Sequence, residues 1–333
     1  MRASVAAIIA VLLVLGAVGL GLASGRLFAP APTPVRVNVT FSAAPSPSPT
    51  PYDEAAVFRA QPLSGGCATT GGVWIITNGG GLLRYDGAQW AQVDGTLRSL
   101  VRAACRGGLA YGVGLVGAVL IADEQAKQIR AVDLANEDFF GISTLPEGAL
   151  VVGTRGTVIF LDTNGDAHPA TPVDEDLFGV VAFSLESGWV VGDHGITYRL
   201  DQRGLVATGS GQGNALRAVA GTTPANVVAV GDAGTIVTFA NGAWLSATSG
   251  VDVTLRDVIV APGVWVAGDG GTLLTTSGVP SPPFRRVDIG TTCNLVALFA
   301  SGGDIWVVGR SISGGGVWRL RADGTVAQHF GGC

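Results

Sequence analysis

The chain has 333 residues, of which 51 are Gly and 16 Pro; only 14% are charged, and the formal net charge is −5. With no block of Lys or Arg, that balance gives no general attraction for a phosphate backbone and argues against nucleic-acid binding. Long helical domains need Ala, Leu, Glu and Lys on periodic faces, so a Gly-rich, charge-poor chain of mean hydropathy +0.44 predicts many short strands and tight turns.

Residues 3–23 carry no charge and lie between Arg2 and Arg26. A membrane-spanning helix needs about 20 apolar residues, whereas the core of a signal peptide runs to ~7–15. Residues 1–26 therefore read as an uncleaved, single-pass signal-anchor. A cleavable signal peptide is the competing reading, because Gly21-Leu22-Ala23 offers the small residues a signal peptidase accepts. No Cys lies near this point, which removes a lipoprotein anchor. Either reading exports the rest of the chain, to the extracytoplasmic side of the cytoplasmic membrane or into the medium. Residues 27–57, with PAPTP and SAAPSPSPTP, read as a semi-extended Pro/Ser/Thr-rich linker.

From residue 58 the chain repeats itself. The unit is an apolar run, a Gly, two turn residues, a second Gly and another apolar run, as in ALVVGTRGTVIFLDTNG, GWVVGDHGITYRLDQRG and VWVAGDGGTLLTTSG. The second turn glycines are Gly80, Gly117, Gly156, Gly195, Gly234, Gly271 and Gly315, spaced by 37, 39, 39, 39, 37 and 44 residues. Each copy holds a hairpin whose Gly supplies positive φ, flanked by runs too short for helices and rich in Val, Ile and Trp. A further apolar run precedes each hairpin and a more polar one follows it. The expectation is four strands per copy, the first two most apolar and the last most polar. Seven such sheets set radially make an all-β, seven-bladed β-propeller. The blades fall at about 61–96, 97–135, 136–172, 173–211, 212–250, 251–290 and 291–333. A sandwich does not yield seven copies in phase, and solenoid coils are usually shorter. Trp74, Trp189, Trp265 and Trp306 share one phase in the second strand, which points to packing between blades; Trp90 and Trp244 close hairpins nearer the outside.

Four cysteines in an exported chain predict two disulfides. Cys67 and Cys105 fall in the first strands of neighbouring blades, while Cys293 opens the last blade and Cys333 ends it. Ring geometry thus favours Cys67–Cys105 and Cys293–Cys333 over pairings that reach past blade one, with free buried thiols as the alternative. No Cys-x-x-Cys spacing exists, so zinc and redox motifs are absent.

VVAVGDAGTIVTFANGAW and GLLRYDGAQW resemble the repeats of photosystem II stability/assembly factor-like propellers, and the wider group of exported bacterial propellers with BNR-like or YVTN-like repeats. The likeness spans most of residues 60–333 and rests on strand, turn Gly, Thr and closing Trp. It implies an assembly factor that docks on membrane-protein partners, with an arginine patch implicated in docking. Here the first-strand openings carry Arg98, Arg217 and Arg256, but Phe140 and Phe178 stand there in blades three and four, leaving such a patch incomplete. The N-terminal lipid-attachment Cys of some relatives is also missing.

In a propeller the b–c turns and d–a connections share a face, which places Asp193, His194, Asp232 and Asp269 in a partial ring with Arg98, Arg217 and Arg256 near the channel mouth. This reads as a mixed-charge rim for a protein partner or a small polar ligand; the structural reading is turn-forming Asp and solvated Arg. Asn136–Asp138 and Asp174–Asp176 read as solvated loop charges. A sialidase would need an arginine triad, a Tyr/Glu pair and SxDxGxTW boxes, none of which occurs; other glycosidases need two carboxylates in a cleft. The phase of the repeat keeps His168, His194 and His329 apart, and no P-loop or dinucleotide motif is present. No catalytic residue, metal site or cofactor is expected. The sequence favours a non-enzymatic, membrane-tethered interaction or assembly scaffold whose partners are membrane or envelope proteins. The alternatives are a propeller-fold hydrolase (glycosidase or lactonase) and a carbohydrate-binding lectin.

Overall fold

The computed structural model describes residues 36–40, 58, 62–93, 98–124, 128–134, 136–277, 283–312 and 314–333. The expected signal-anchor at 1–26 lies outside these residues. Among those described, no helix is long and apolar enough to cross a membrane.

Seven antiparallel sheets follow one another along the chain, each a meander of strands a, b, c and d in sequence order. They span residues 63–93, 100–133, 139–169, 177–207, 216–247, 255–286 and 294–331. The a strands of consecutive blades touch all the way round, blade seven meeting blade one. Strand a therefore lines the axis, and the molecule is a seven-bladed β-propeller. Blade three shows the pattern, with Phe139–Leu145 as a, Gly148–Gly153 as b, Val158–Asp162 as c and Ala167–Pro169 as d.

The glycine phase has a steric cause. In blade three the b–c turn ends on Gly156 at φ 64°, and a Cβ there would lie 1.9 Å from the Val173 carbonyl oxygen. Gly234 meets Val251 at 1.8 Å and Gly271 meets Thr291 at 1.9 Å in the same way. In blades three to six the chain entering the next blade presses on this turn, where only Gly combines the left-handed conformation with the missing side chain; Gly315 of blade seven does not have the positive φ expected of it and lies against the Leu63 side chain instead.

Burial corrects the expected gradient along each blade. Strand b is the most deeply buried, all six residues in Gly148–Gly153, and strand c follows it closely. Strand a is mixed, as in Phe139–Leu145 or Leu100–Arg106, because part of it borders the channel. Strand d is the polar edge, for example Val326–Gly331.

The b-strand tryptophans Trp74, Trp189, Trp265 and Trp306 are buried. Trp189 packs on Phe239 and Trp244 of blade five, at 4.4 and 5.1 Å between centroids. The Trp74 Nε1–H donates across the blade one/two seam to Glu124 Oε1 at 3.0 Å. Glu124 also accepts from Thr69 Oγ1, the Gly71 amide and Arg84 Nε, so one carboxylate clasps two blades.

Among the described residues no strand is shared between the first and last blades. The ring closes instead on an aromatic cluster of Phe58, Tyr85, Trp90, Trp306 and Phe330, with Phe58–Trp90 at 5.2 Å, Tyr85–Phe330 at 5.3 Å and Trp90–Phe330 at 5.5 Å. Trp90, expected nearer the outside, is buried by this closure. Cys67 is bonded to Cys105 between blades one and two, and Cys293 to Cys333 within blade seven.

One feature of the linker departs from expectation. Arg36–Thr40 forms a strand antiparallel to Gln128–Asp133, strand d of blade two, with Arg36 opposite Val132 and Thr40 opposite Gln128. Blade two thereby becomes five-stranded, and the outer edge of its d strand is covered by the chain's own N-terminal segment.

Candidate functional site at the channel mouth

Every a strand carries a β-bulge near the start of its pairing with strand b, after the first paired residue in blades one to six and after the second in blade seven. A bulge leaves one residue unpaired and re-aims it. Here the bulged residues are Ser64, Val101, Phe140, Phe178, Arg217, Arg256 and Val296, beside the b–c turns on the mouth face. This ring corrects the reading of Arg98. The pairing of blade two starts at Leu100 opposite Gly114, so Val101 occupies the bulge, and Arg98 sits upstream in the exposed d–a connection.

In blades five and six the mouth arginine meets the turn aspartate of its own blade. Arg217 donates through Nε to Asp232 Oδ1 at 3.0 Å and through Nη2 to Oδ2 at 2.5 Å. Arg256 forks Asp269 likewise, with Nη2 to Oδ2 at 2.9 Å and Nε to Oδ1. Hydrogen bonding to Arg217 holds the Asp232 carboxyl below the usual carboxylate range, and the same pairing pushes Arg217 up. Arg217 also lies over the Phe178 ring at 4.5 Å, and Phe178 meets Phe140 at 5.6 Å. Blade four has Phe at its bulge, so Asp193 gains no such fork; its Oδ2 lies 3.4 Å from His194 Nδ1 on the exposed turn.

Two arginines at this level were not singled out in the sequence. Arg102, one residue past the bulge of blade two, reaches across the channel to blade six. Its Nη1 lies 3.1 Å from Asp257 Oδ1, and it donates through Nη2 to the Arg256 carbonyl at 3.3 Å. Asp257 is buried, and its Oδ2 accepts from the Leu298 amide at 2.7 Å. Burial pushes this carboxyl up, while the Arg102 cation and backbone N–H groups pull it back. Arg310 follows Gly309 at the end of strand b in blade seven, in the ring position that Asp193, Asp232 and Asp269 hold in blades four to six. Its guanidinium is half-buried, and among the described residues it has no ion-pair or hydrogen-bond partner. Asp269 attracts it from a distance only, both carboxylate oxygens being taken by Arg256. Burial, then the Arg256 charge, hold Arg310 below its usual range.

The acidic loops, read as solvated, are bonded between blades. Asp138 accepts from the Val116 amide at 2.8 Å and Asp176 from the Arg155 amide at 2.7 Å, each fixing the b–c turn of the preceding blade. Glu137 pairs with Arg155, and Glu175 accepts from the Tyr198 hydroxyl. A b–c turn whose middle N–H points at the next blade needs such an acceptor, which explains acidic residues at the blade entrances. His168 stacks on Phe160 and His329 on Trp318, in blades three and seven, far in phase from His194 on the turn of blade four. Among the described residues, no three His, Cys, Asp or Glu side chains are grouped so as to hold a metal ion.

Fold and rim together define the class: a seven-bladed β-propeller with a mouth of arginine–aspartate forks beside two phenylalanines. No family model matches the chain, and no curated protein matches it. Among solved structures it is similar to the WD40 β-propeller domain of Doa1, at 13% identity and a TM-score of 0.67, over 78% of this chain and 93% of that one. It is also similar to YCF48 bound to D1 peptide, at 14% identity and a TM-score of 0.63, over 80% and 95% of the two chains. The RRP9 WD40 repeats align at 9% identity and a TM-score of 0.64, over 75% and 88%. At these identities the likeness shows the propeller fold alone.

Proposed function

We propose that the protein is a non-enzymatic, membrane-tethered scaffold on the extracytoplasmic side, which docks a protein partner on its channel-mouth face. The observation that carries this reading is the set of b–c turns in blades two to five. Their middle residues Val116, Arg155, His194 and Ala233 all lie at φ 51–55°. Left-handed backbone is unfavourable for most residues, most of all for a β-branched one. Yet Val116 is 53% exposed and the His194 side chain 83%, so these turns hold side chains outward on one rim. That rim, apolar at Val116 and charged at Arg155, suits a protein surface. The solved complex of a similarly folded propeller with a peptide supports a peptide-binding role for this fold.

Export rests on the apolar N-terminus and agrees with two disulfides. A lectin would expose aromatic rings at equivalent points of several blades, but the recurring tryptophans are buried. A glycosidase needs a carboxyl free to give a proton, whereas the two mouth aspartates of blades five and six are forked by arginine.

The test is photo-crosslinking in native membranes, with the crosslinker at position 116 or 194 and, as comparison, at exposed Leu245 on strand d of blade five. Discrete protein adducts from the mouth positions alone are expected. Equal adducts from all three, or turnover of a model glycoside by the purified chain, would overturn the reading.

A further inference from the structure

We propose that the blade-seven side of the mouth is a carboxylate-binding site, in which the Arg310 guanidinium takes a carboxylate of an extended protein segment and Ile312 contacts an apolar side chain next to it. The inference rests on the scaffold reading and names the chemistry of its partner.

Three observations converge there. A guanidinium has five N–H donors and is never deprotonated in a protein, so a half-buried one without an acceptor lacks the compensation such groups ordinarily have. Around the rim, Arg217 and Arg256 are each matched by the aspartate of their own blade; Arg310 stands where that aspartate would be, and faces Arg256. The forks are neutral pairs, whereas among the described residues the Arg310 guanidinium has no such partner. Second, the b–c hairpin of blade seven projects further than its counterparts, eight residues separating the paired Val308 and Val317 where five separate Val191 and Thr197 in blade four. Third, that loop presents Ile312 fully to solvent, two residues from Arg310. An isolated apolar side chain next to an unmatched cation is complementary to a segment carrying an apolar residue beside a carboxylate.

The carboxylate could belong to a chain terminus or to an Asp or Glu side chain, and the experiment separates the two. The full chain, labelled with 15N-arginine, is titrated with acetyl-Ala-Leu-Ala carboxylate, with its C-terminal amide, and with acetyl-Ala-Asp-Leu-Ala amide, following the arginine Nε–H resonances. Saturable movement of the Arg310 signal by a carboxylate peptide and none by acetyl-Ala-Leu-Ala amide is expected. Whichever carboxylate peptide binds identifies the source. Arg310→Gln should weaken binding roughly tenfold or more, and Arg310→Lys, which keeps the charge but loses the planar fork, by less. Ile312→Ser should weaken it about threefold, and Arg203→Gln on an exposed hairpin of blade four not at all. Equal movement of all exposed arginines, undiminished binding by the Arg310→Gln chain, or response to inorganic phosphate with none to the peptides would each overturn the assignment. Undiminished binding by Ile312→Ser would overturn the apolar half. Failure of the mouth crosslinks with this titration intact would instead sink the scaffold reading.

Discussion

The ion pair that spans the channel makes a quantitative prediction. Arg102 and Asp257 approach to 3.1 Å with side chains only 19% and 13% exposed. At an effective dielectric of about 20, unit charges at that distance attract by roughly 5 kcal/mol. Withdrawing both from water costs several kcal/mol for each ion, so against an apolar pair of equal volume the net should be near zero. Removing one partner is different, because it leaves a buried charge alone. Arg102→Met strands the Asp257 carboxylate with only backbone donors such as Leu298 N–H, and should destabilise the propeller by about 3–5 kcal/mol. Asp257→Leu, which also orphans the Leu298 amide, should cost at least as much. The double variant should recover to within ~1–2 kcal/mol of the parent, the remaining loss being that amide and the carbonyl of Arg256. Denaturant unfolding with both disulfides oxidised, run as a double-mutant cycle, reads these values directly. If the two single losses simply add in the double variant, or if Arg102→Met costs less than about 1 kcal/mol, the cross-channel pair is not coupled and the reasoning is wrong.

Glu124→Gln keeps the shape of the inter-blade clasp but replaces one acceptor oxygen by a donor; it should cost about 1–3 kcal/mol, seen as a lower unfolding midpoint. Asp232, held below the ordinary carboxylate range by Arg217, stabilises the fold above the unfolded pKa, and that contribution disappears as pH falls through the folded value. Its carboxyl carbon should therefore titrate below 3.8 by NMR and move up in Arg217→Gln; an unmoved titration would refute the fork. Trypsin should cleave slowly after Arg36 in the parent and quickly in Val39→Pro/Thr40→Pro, which leaves the Arg36–Val37 bond intact while Pro removes a ladder donor; equal rates would mean that this strand does not pair with blade two.

The features legible in the sequence are those with a local steric cause. The turn glycines of blades three to six recur because a carbonyl at the entrance to the next blade lies 1.8–2.3 Å from where a Cβ would be. The b-strand tryptophans recur because each fills a seam between blades. The sequence puts Arg98 a few residues out of phase because the run LRSLVRA offers two leucines, and a bulge shifts register without leaving a sequence mark. Arg102 and Asp257 carry no signal at all, being 155 positions apart and joined only when the ring closes. The strand at 36–40 did leave a trace, the alternation of Val35, Val37 and Val39, hidden between proline-rich neighbours whose composition dominated the reading. The acidic blade entrances looked solvated because a carboxylate that accepts backbone amides of the preceding turn has the same composition as one that faces water.

The strand at 36–40 also has a mechanical meaning. Whatever precedes Arg36 hangs from the outer edge of blade two, 22 residues of chain before blade one begins near Phe58. A pull on the N-terminus loads five antiparallel pairs at a sheet edge before it loads the ring. With that strand peeled, the 22 residues from Arg36 to Phe58 can span at most roughly 75 Å at about 3.4 Å per residue. The wheel itself is locked by Cys67–Cys105 and Cys293–Cys333. The edge of blade two is thus a fuse between whatever precedes Arg36 and the propeller.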